Sequence, residues 1–206
     1  MKVVRIPAGI YAANCYLVDS EDSKEAIVID PGGDEDDIIA QIKNLGLDVK
    51  YIVLTHGHGD HIAGVKGIKD YTNAPLAIHK DDEYLLKDGR SNLSSMMAMG
   101  TVETLADILL EDGDEIEFGD LIAEIIHTPG HTPGGISIKI GDSIFTGDTL
   151  FAGSIGRTDF PNSSFKDIMN SIKERIIVYP DDTKVYPGHG PSSTIKNEKE
   201  SNPFIK

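Results

Sequence analysis

Residues 55–61 read T-H-G-H-G-D-H and place His56, His58, Asp60 and His61 within a few consecutive positions. Imidazoles crowded around a carboxylate suit a metal ion, because neutral imidazole nitrogen and carboxylate oxygen bind zinc, iron and manganese. The run just before, V-K-Y-I-V-L-T from Val49 to Thr55, is apolar and β-branched, so it predicts a buried strand ending at the cluster. Strand ends are where open α/β sheets keep their chemistry. A fold for this chain must therefore carry a buried strand to an accessible crevice.

Three more candidate ligands sit just after apolar runs. His131 follows Ile125–Gly130, Asp148 follows Ile144–Gly147, and His189 follows Tyr186-Pro187-Gly188. A glycine precedes each of them, which leaves room for backbone and metal to approach closely. Within the first cluster, alternation along an extended loop directs His56, His58 and Asp60 to one side, with His61 opening a helix. One loop then reaches two neighbouring metals.

The rest of the chain reads as alternating strands and helices. Strands are expected at Val3–Ile6, Cys15–Val18 and Ala26–Asp30, then a Pro31-Gly32-Gly33 turn. Asp34 is the expected N-cap of a helix carrying Ile38, Ile39, Ile42 and Leu45 on one face and closed by Gly46. A helix over about 60–70, a strand at Leu76–His79 and a short acidic helix near Asp81–Lys87 follow. Residues 90–105 are irregular and suggest a mobile flap. The second half is richer in strands: Ile108–Leu110, Glu115–Phe118, Leu121–Thr128, Ile136–Ile140 and Ser143–Thr146. A helix bearing Phe165, Ile168, Met169, Ile172 and Ile176 then leads to a strand at Lys184–Tyr186 and a charged helical tail beyond Ser193. Each half runs strands, then a helix, then a strand ending at a histidine, which suggests a structural pseudo-repeat. Two sheets face to face with helices outside accommodate the pattern, as a single domain over 1–206.

Charge and cysteine content narrow the function. The net charge of −15 repels nucleic-acid phosphates, and no basic groove offsets it, so no nucleic-acid partner is expected. No apolar run approaches the roughly 20 residues that span a bilayer, so no membrane partner is expected either. The N-terminus leads directly into strand-like sequence without a signal-peptide pattern, and the expectation is a cytoplasmic protein. Cys15 is the only cysteine, which excludes an intrachain disulfide and a cysteine-based zinc site. It lies in an apolar strand and reads as a core residue.

With these motifs assembled, the chain closely resembles the metallo-β-lactamase superfamily. The H-x-H-x-D-H signature is His56–His61, and further matches are V-I-D-P-G-G at Val28–Gly33, G-H-T-P-G at Gly130–Gly134, T-G-D-T-L-F at Thr146–Phe151 and P-G-H-G at Pro187–Gly190. The resemblance spans nearly the whole chain and implies an α/β (α+β) fold, the αββα four-layer sandwich. It also implies two divalent metal ions, zinc first, with iron or manganese as alternatives. His56, His58 and His131 would hold one ion, Asp60, His61 and His189 the other, and Asp148 would bridge them. Asp60 and Asp148 are the expected catalytic carboxylates, Asp60 orienting the nucleophile and Asp148 holding the metal separation.

Differences between branches of the family refine the expectation. Class B1 lactamases carry cysteine where this chain has Asp148, which argues against penicillin hydrolysis. Flavo-diiron proteins carry glutamate at the position of His58, and the β-CASP branch needs an insertion for which this chain has no room. The run F-A-G-S-I-G-R-T-D-F-P at Phe151–Pro161 resembles the short glyoxalase II-type hydrolases. Their reaction is thioester hydrolysis, in which two cations about 3.5–4 Å apart share a water and lower its pKa toward about 7. The expected partner is thus a small thioester or ester. The alternative is a persulfide dioxygenase with a single iron held by His56, His131 and Asp148; a non-catalytic metal-binding protein ranks third. The chain lacks the C-terminal helical extension of full-length glyoxalase II after His189, so a more open pocket is expected. Asp30 is a candidate outer partner of a metal-bound imidazole, Arg157 is expected to pair with Asp159, and His79 and His127 stay outside the site.

Overall fold

The computed structural model describes residues 1–206 and contains two six-stranded sheets. The first takes β1 (Lys2–Ala8), β2 (Ala13–Asp19), β3 (Glu25–Ile29), β4 (Asp48–Val53), β5 (Leu76–His79) and β6 (Ile108–Leu110), in that order across the sheet. The second is built from β7 (Glu115–Phe118), β8 (Leu121–His127), β9 (Ile136–Ile140), β10 (Ser143–Gly147), β13 (Lys184–Pro187) and β14 (Ser193–Thr194). A two-stranded ribbon, β11 (Leu150–Phe151) with β12 (Ser154–Ile155), lies between β10 and the later helices. These two-residue strands are too short for any hydrophobic period to reveal.

Alternation along the strands sorts side chains into layers. Tyr16, Val18, Ile27 and Ile29 of the first sheet meet Ile125, Ile138, Ile140 and Phe145 of the second in one buried cluster between the sheets. The opposite face of the first sheet, with Cys15, Leu17 and Val28, is covered by Ile38 and Ile42 of α1 (Glu35–Leu45) and by Val65 and Ile68 of α3 (Val65–Thr72). Ile126, Ile144 and Val185 face Ile168 of α5 (Phe165–Ser171), Ile172 and Ile176 of the π-turn after it, and Ile195 of α6 (Ile195–Ser201). The expected αββα sandwich is the result.

The pseudo-repeat has a structural counterpart. In each sheet an antiparallel meander ends in a parallel pair joined through a helix: β3–α1–β4 in the first, β10–α5–β13 in the second.

Several local expectations change. Asp34 does stand before α1, but its backbone is left-handed at φ 47° and its side chain caps nothing; its carboxylate accepts from Gly9 N instead, at 2.8 Å. The predicted helix over 60–70 is two pieces, α2 (Gly59–Ile62) and α3, broken where Gly64 packs against the Pro31–Gly33 turn. Phe165 does not join the buried face of α5 and stays 56% exposed. Both ends of segment 90–105 are fastened: Asn92 Nδ2 donates to the carbonyls of Leu85 and Val102, and Gly59 N of the H-x-H-x-D-H loop donates to the carbonyl of Asn92, while Met96 between them is 74% exposed.

The layer assignment predicts a contrast in stability. Ile138 is fully buried between the sheets, and Ile138→Ala should cost about 2–5 kcal/mol. Ile122 lies on the neighbouring strand but is 49% exposed, and Ile122→Ala should stay within about 0.5 kcal/mol of the parent. Denaturant midpoints of the two variants measure the difference.

Candidate metal centre

Parallel pairing sets where the site forms. β3, β4 and β5 run in one direction and end on one edge, delivering Asp30, residues 55–61 and Asp82 there. In the second sheet β8, β10 and β13 share a direction, and their ends deliver His131, Asp148 and His189. The edges are joined at Thr55, whose carbonyl accepts from Ile136 N at 2.8 Å. The His189 loop is held from β2: Asn14 Nδ2 donates to the carbonyls of Pro187 and Gly190, both at 2.9 Å, and the Tyr16 hydroxyl donates to that of Pro187 at 2.7 Å.

All of the sequence-derived candidates come together. His56, His58 and His131 form one group and Asp60, His61 and His189 another, each with donor atoms mutually within 4.8 Å. The His58 Nδ1 to His131 Nε2 distance is 2.9 Å, and His61 Nε2 to His189 Nε2 is 3.2 Å. Asp60 Oδ2 lies 3.3 Å from His189 Nε2 and 3.9 Å from His61 Nε2. Asp148 sits between the groups, with Oδ2 3.5 Å from His131 Nε2 and 3.7 Å from His189 Nε2, and Oδ1 3.5 Å from His61 Nε2. Two nitrogens on a tetrahedral ion are about 3.3 Å apart, so these spacings match convergence on common centres. The division between groups differs from the extended-loop expectation. α2 begins at Gly59, so Asp60 as well as His61 lies on the helical turn and both swing to the second group.

Hydrogen bonding leaves the right atoms bare. Thr55 donates its N–H and hydroxyl to Asp30, at 2.7 and 2.6 Å. With its hydroxyl hydrogen so directed, Thr55 Oγ1 accepts from His56 Nδ1 at 3.2 Å, which leaves His56 Nε2 without a proton. That nitrogen is buried and has no partner, as is Asp148 Oδ1. A buried polar atom with no partner is costly unless something binds it. His131 Nδ1 donates to the Arg157 carbonyl at 2.8 Å and His61 Nδ1 to Asp30 Oδ2 at 3.0 Å, so each ring aims Nε2 into the site. Outer partners of this kind set the tautomer and orientation of metal-bound imidazoles. The donors present therefore fit a pair of metal ions.

Close approach explains one of the glycines. A Cβ on Gly188 would lie 2.2 Å from Asp148 Oδ1 and 2.8 Å from the His61 ring. Any larger residue would displace the carboxylate.

Sequence reasoning missed Asn14, Tyr16, Thr55 and Asp82. Asn14 and Asp82 did carry a signal, as polar residues beside apolar strands, but nothing local says what they bind. Asp82 is fully buried and accepts from Gly57 N, Thr132 Oγ1 and Gly134 N. Burial pushes its carboxyl above the usual range, and these donors pull it back. Arg157 forms the expected pair, bonding Asp159 through two nitrogens at 2.9 and 2.8 Å, and stacks on Phe160. His79 and His127 stack face to face at 4.2 Å, with His127 Nε2 donating to the Pro133 carbonyl. Parallel rings do not aim their lone pairs at one point, so the trio they form with Asp81 is a poor ion site as it stands.

A cavity of about 590 Å³ opens onto the centre. Tyr11, Leu93, Met97, Phe151 and Phe160 give it apolar walls, and Arg90 stands at its margin with no ion pair. The volume suits a small molecule.

The sequence matches the Metallo-beta-lactamase superfamily over residues 8–189. The chain belongs to that superfamily. It is 36% identical over its full length to the probable metallo-hydrolase YqgX of Bacillus subtilis, covering 98% of that protein. Identity to the hydroxyacylglutathione hydrolase GloC of Haemophilus influenzae is 34%, with 100% of this chain and 98% of the relative covered. Among crystal structures, the B3 metallo-β-lactamase BLEG-1 superposes with TM-score 0.95 at 35% identity, with both chains covered completely. TTHA1623 in a di-iron-bound form gives TM-score 0.87 at 32% identity, covering 98% of this chain and 100% of the other. No helix is long and apolar enough to cross a membrane.

The crowding of charges has a consequence for the metal-free protein. Burial, then the His131 ring, pushes His58 down to about 3; burial and the rings of His61 and His58 hold His56 well below its ordinary value. Burial lowers His61 as well, but Asp148, Asp60 and Asp30 overcome it and raise the imidazole to about 10. An unfolded chain protonates its histidines below about 6.5, while folded His58 resists until about 3, so stability falls as pH drops through that window. His61 contributes fully below about 6.5, and its contribution fades as pH rises through about 10. Thermal melts in excess chelator should therefore fall from pH 7 toward 4.5 and again toward pH 10. A melting temperature unchanged between pH 7 and 4.5 would contradict this.

Proposed function

We propose that this protein is a metal-dependent hydrolase that cleaves small thioesters of the hydroxyacylglutathione type. The observation that carries the reading is Asp148, whose carboxylate stands between two groups of converging imidazole nitrogens, one of them the unpartnered His56 Nε2, beneath an apolar cavity. His56, His58 and His131 would hold one divalent cation, Asp60, His61 and His189 a second, and Asp148 would bridge them. Bound there, the pair would supply an activated water and a Lewis acid for the carbonyl oxygen. Zinc is the first expectation, and the donors accept iron and manganese as well; the di-iron form of TTHA1623 supports iron.

The chain's own residues do the positioning. Asp30 and the Arg157 carbonyl orient His61 and His131, and Asp60, with Oδ2 3.3 Å from His189 Nε2, would orient the attacking group. The apolar walls exclude bulk water and hold the acyl and thiol portions on either side of the scissile bond. Asn92 fastens the wall carrying Leu93 and Met97, so the cavity is formed before substrate arrives. No serine or cysteine nucleophile is needed: the one cysteine, Cys15, is fully buried. The GloC relative, matched along 98% of its length at 34% identity, supports a thioester substrate.

Metal analysis with paired assays tests the reading. About two metals per chain and thiol release from S-lactoylglutathione without oxygen uptake are expected. One iron per chain with oxygen consumed on glutathione persulfide would overturn it, as would cleavage confined to a β-lactam such as nitrocefin. Asp148→Ala should lower thioester turnover by more than the roughly 100-fold that loss of an outer partner alone can cause, with an unchanged circular dichroism spectrum. Full activity in that variant would refute the bridged-pair mechanism.

A further inference from the structure

Asp82 lies outside the donor groups, yet one carboxylate joins the two loops that supply the first of them. Oδ2 accepts from Gly57 N at 3.1 Å, between His56 and His58, and from Thr132 Oγ1 at 2.7 Å, next to His131. Oδ1 accepts from Gly134 N at 2.6 Å in the same His131 loop. The side chain is fully buried and pairs with no cation, so these are its only partners. The fit leaves no slack: a Cβ on Gly134 would fall 2.5 Å from Asp82 N and 2.8 Å from the Asp82 carboxyl carbon. His56 and His58 come from the first sheet, whereas His131 comes from the second. Their mutual placement therefore depends on what ties these two loops together.

We propose that Asp82 is a positioning residue that assembles the His56/His58/His131 ion site by clamping the 55–61 loop to the 129–135 loop. Asp30 holds His61 of the other group directly and reaches His56 only through Thr55, whereas Asp82 alone bonds both the 55–61 and 129–135 loops. The inference rests on the metal reading above but concerns assembly, not turnover. A carboxylate is required chemically, because two of the three partners are backbone N–H groups and only an acceptor-only side chain satisfies both edges. In Asp82→Asn, either orientation of the amide sets its NH₂ against Gly57 N–H or Gly134 N–H. One loop must then come loose.

Metal binding itself is the test, with zinc competed against a chromogenic chelator and cobalt spectra of the loaded proteins. His131→Ala and His189→Ala provide reference signatures for loss of the first and second groups. Asp82→Asn should weaken one of the two ions by about 10–100-fold, reproduce the His131→Ala spectrum and leave the other ion within two-fold of the parent. Thr132→Val, which removes only the hydroxyl contact, should weaken the same ion to a smaller extent, and Thr132→Ser should restore it. This pair keeps the test open if Asp82→Asn fails to fold. Equal weakening of both ions, or no change in either, would overturn the proposal. A parent protein that binds a single ion would refute the two-metal reading; unchanged affinity for that ion in Asp82→Asn would then overturn this proposal too, and a loss of about 10–100-fold with the His131→Ala signature would sustain it.

Discussion

Thr55 is the point on which the rest of the structure depends. Its carbonyl takes the N–H of Ile136 and so joins the two sheets where their strands end. Its own N–H and hydroxyl are both given to Asp30, which holds His61 from the other side. Because that hydroxyl proton is committed to Asp30, the oxygen accepts from His56 Nδ1, and the imidazole turns a bare Nε2 into the site. A single residue thus couples sheet packing, tautomer choice and the direction of a lone pair. Gly147 packs against the same side chain: a Cβ there would meet Thr55 Oγ1 at 2.4 Å.

The centre is a place where ordinary folding rules are broken in a controlled way. Buried imidazoles stand against one another, a carboxylate oxygen has no partner, and Asp30 adopts a left-handed backbone at φ 49°. Such features are destabilising individually and persist where the surrounding structure over-determines them. Here that surrounding structure is the apolar cluster between the sheets together with the helix layers outside them. Divalent cations would convert the same atoms from unsatisfied donors into ligands, so folding energy and metal binding are linked.

The anionic surface and the apolar cavity follow different logics. The net charge of −15 acts at long range and disfavours polyanionic partners. Inside the cavity the balance reverses locally, since the donor groups invite cations and Arg90 remains unpaired at the margin. Arg157 is a cation there only in part, because Asp159 neutralises it and Phe160 covers its face.

Much of this was legible in order along the chain. The strand pattern and the helix closed by Gly46 follow from periodicities of two and 3.6, which are local properties. The donor residues announce themselves because imidazoles and carboxylates beside glycines at strand ends have few other uses, and every one of them does reach the same edge. What the sequence determined by itself was therefore the kinds of atoms available, the strands that carry them and the family to which they belong. The family resemblance implied how the donors divide, but only the tertiary structure showed the local cause: α2 starts at Gly59, and that puts Asp60 beside His61 and His189. The tertiary structure alone also assigned partners to Asn14, Tyr16 and Asp82, and showed that residues 90–105 are fastened at Asn92 and Val102. The reason is physical. A buried polar side chain must find its partner, and those partners lie on segments far apart in the chain, brought within reach only when the two sheets close on their shared core.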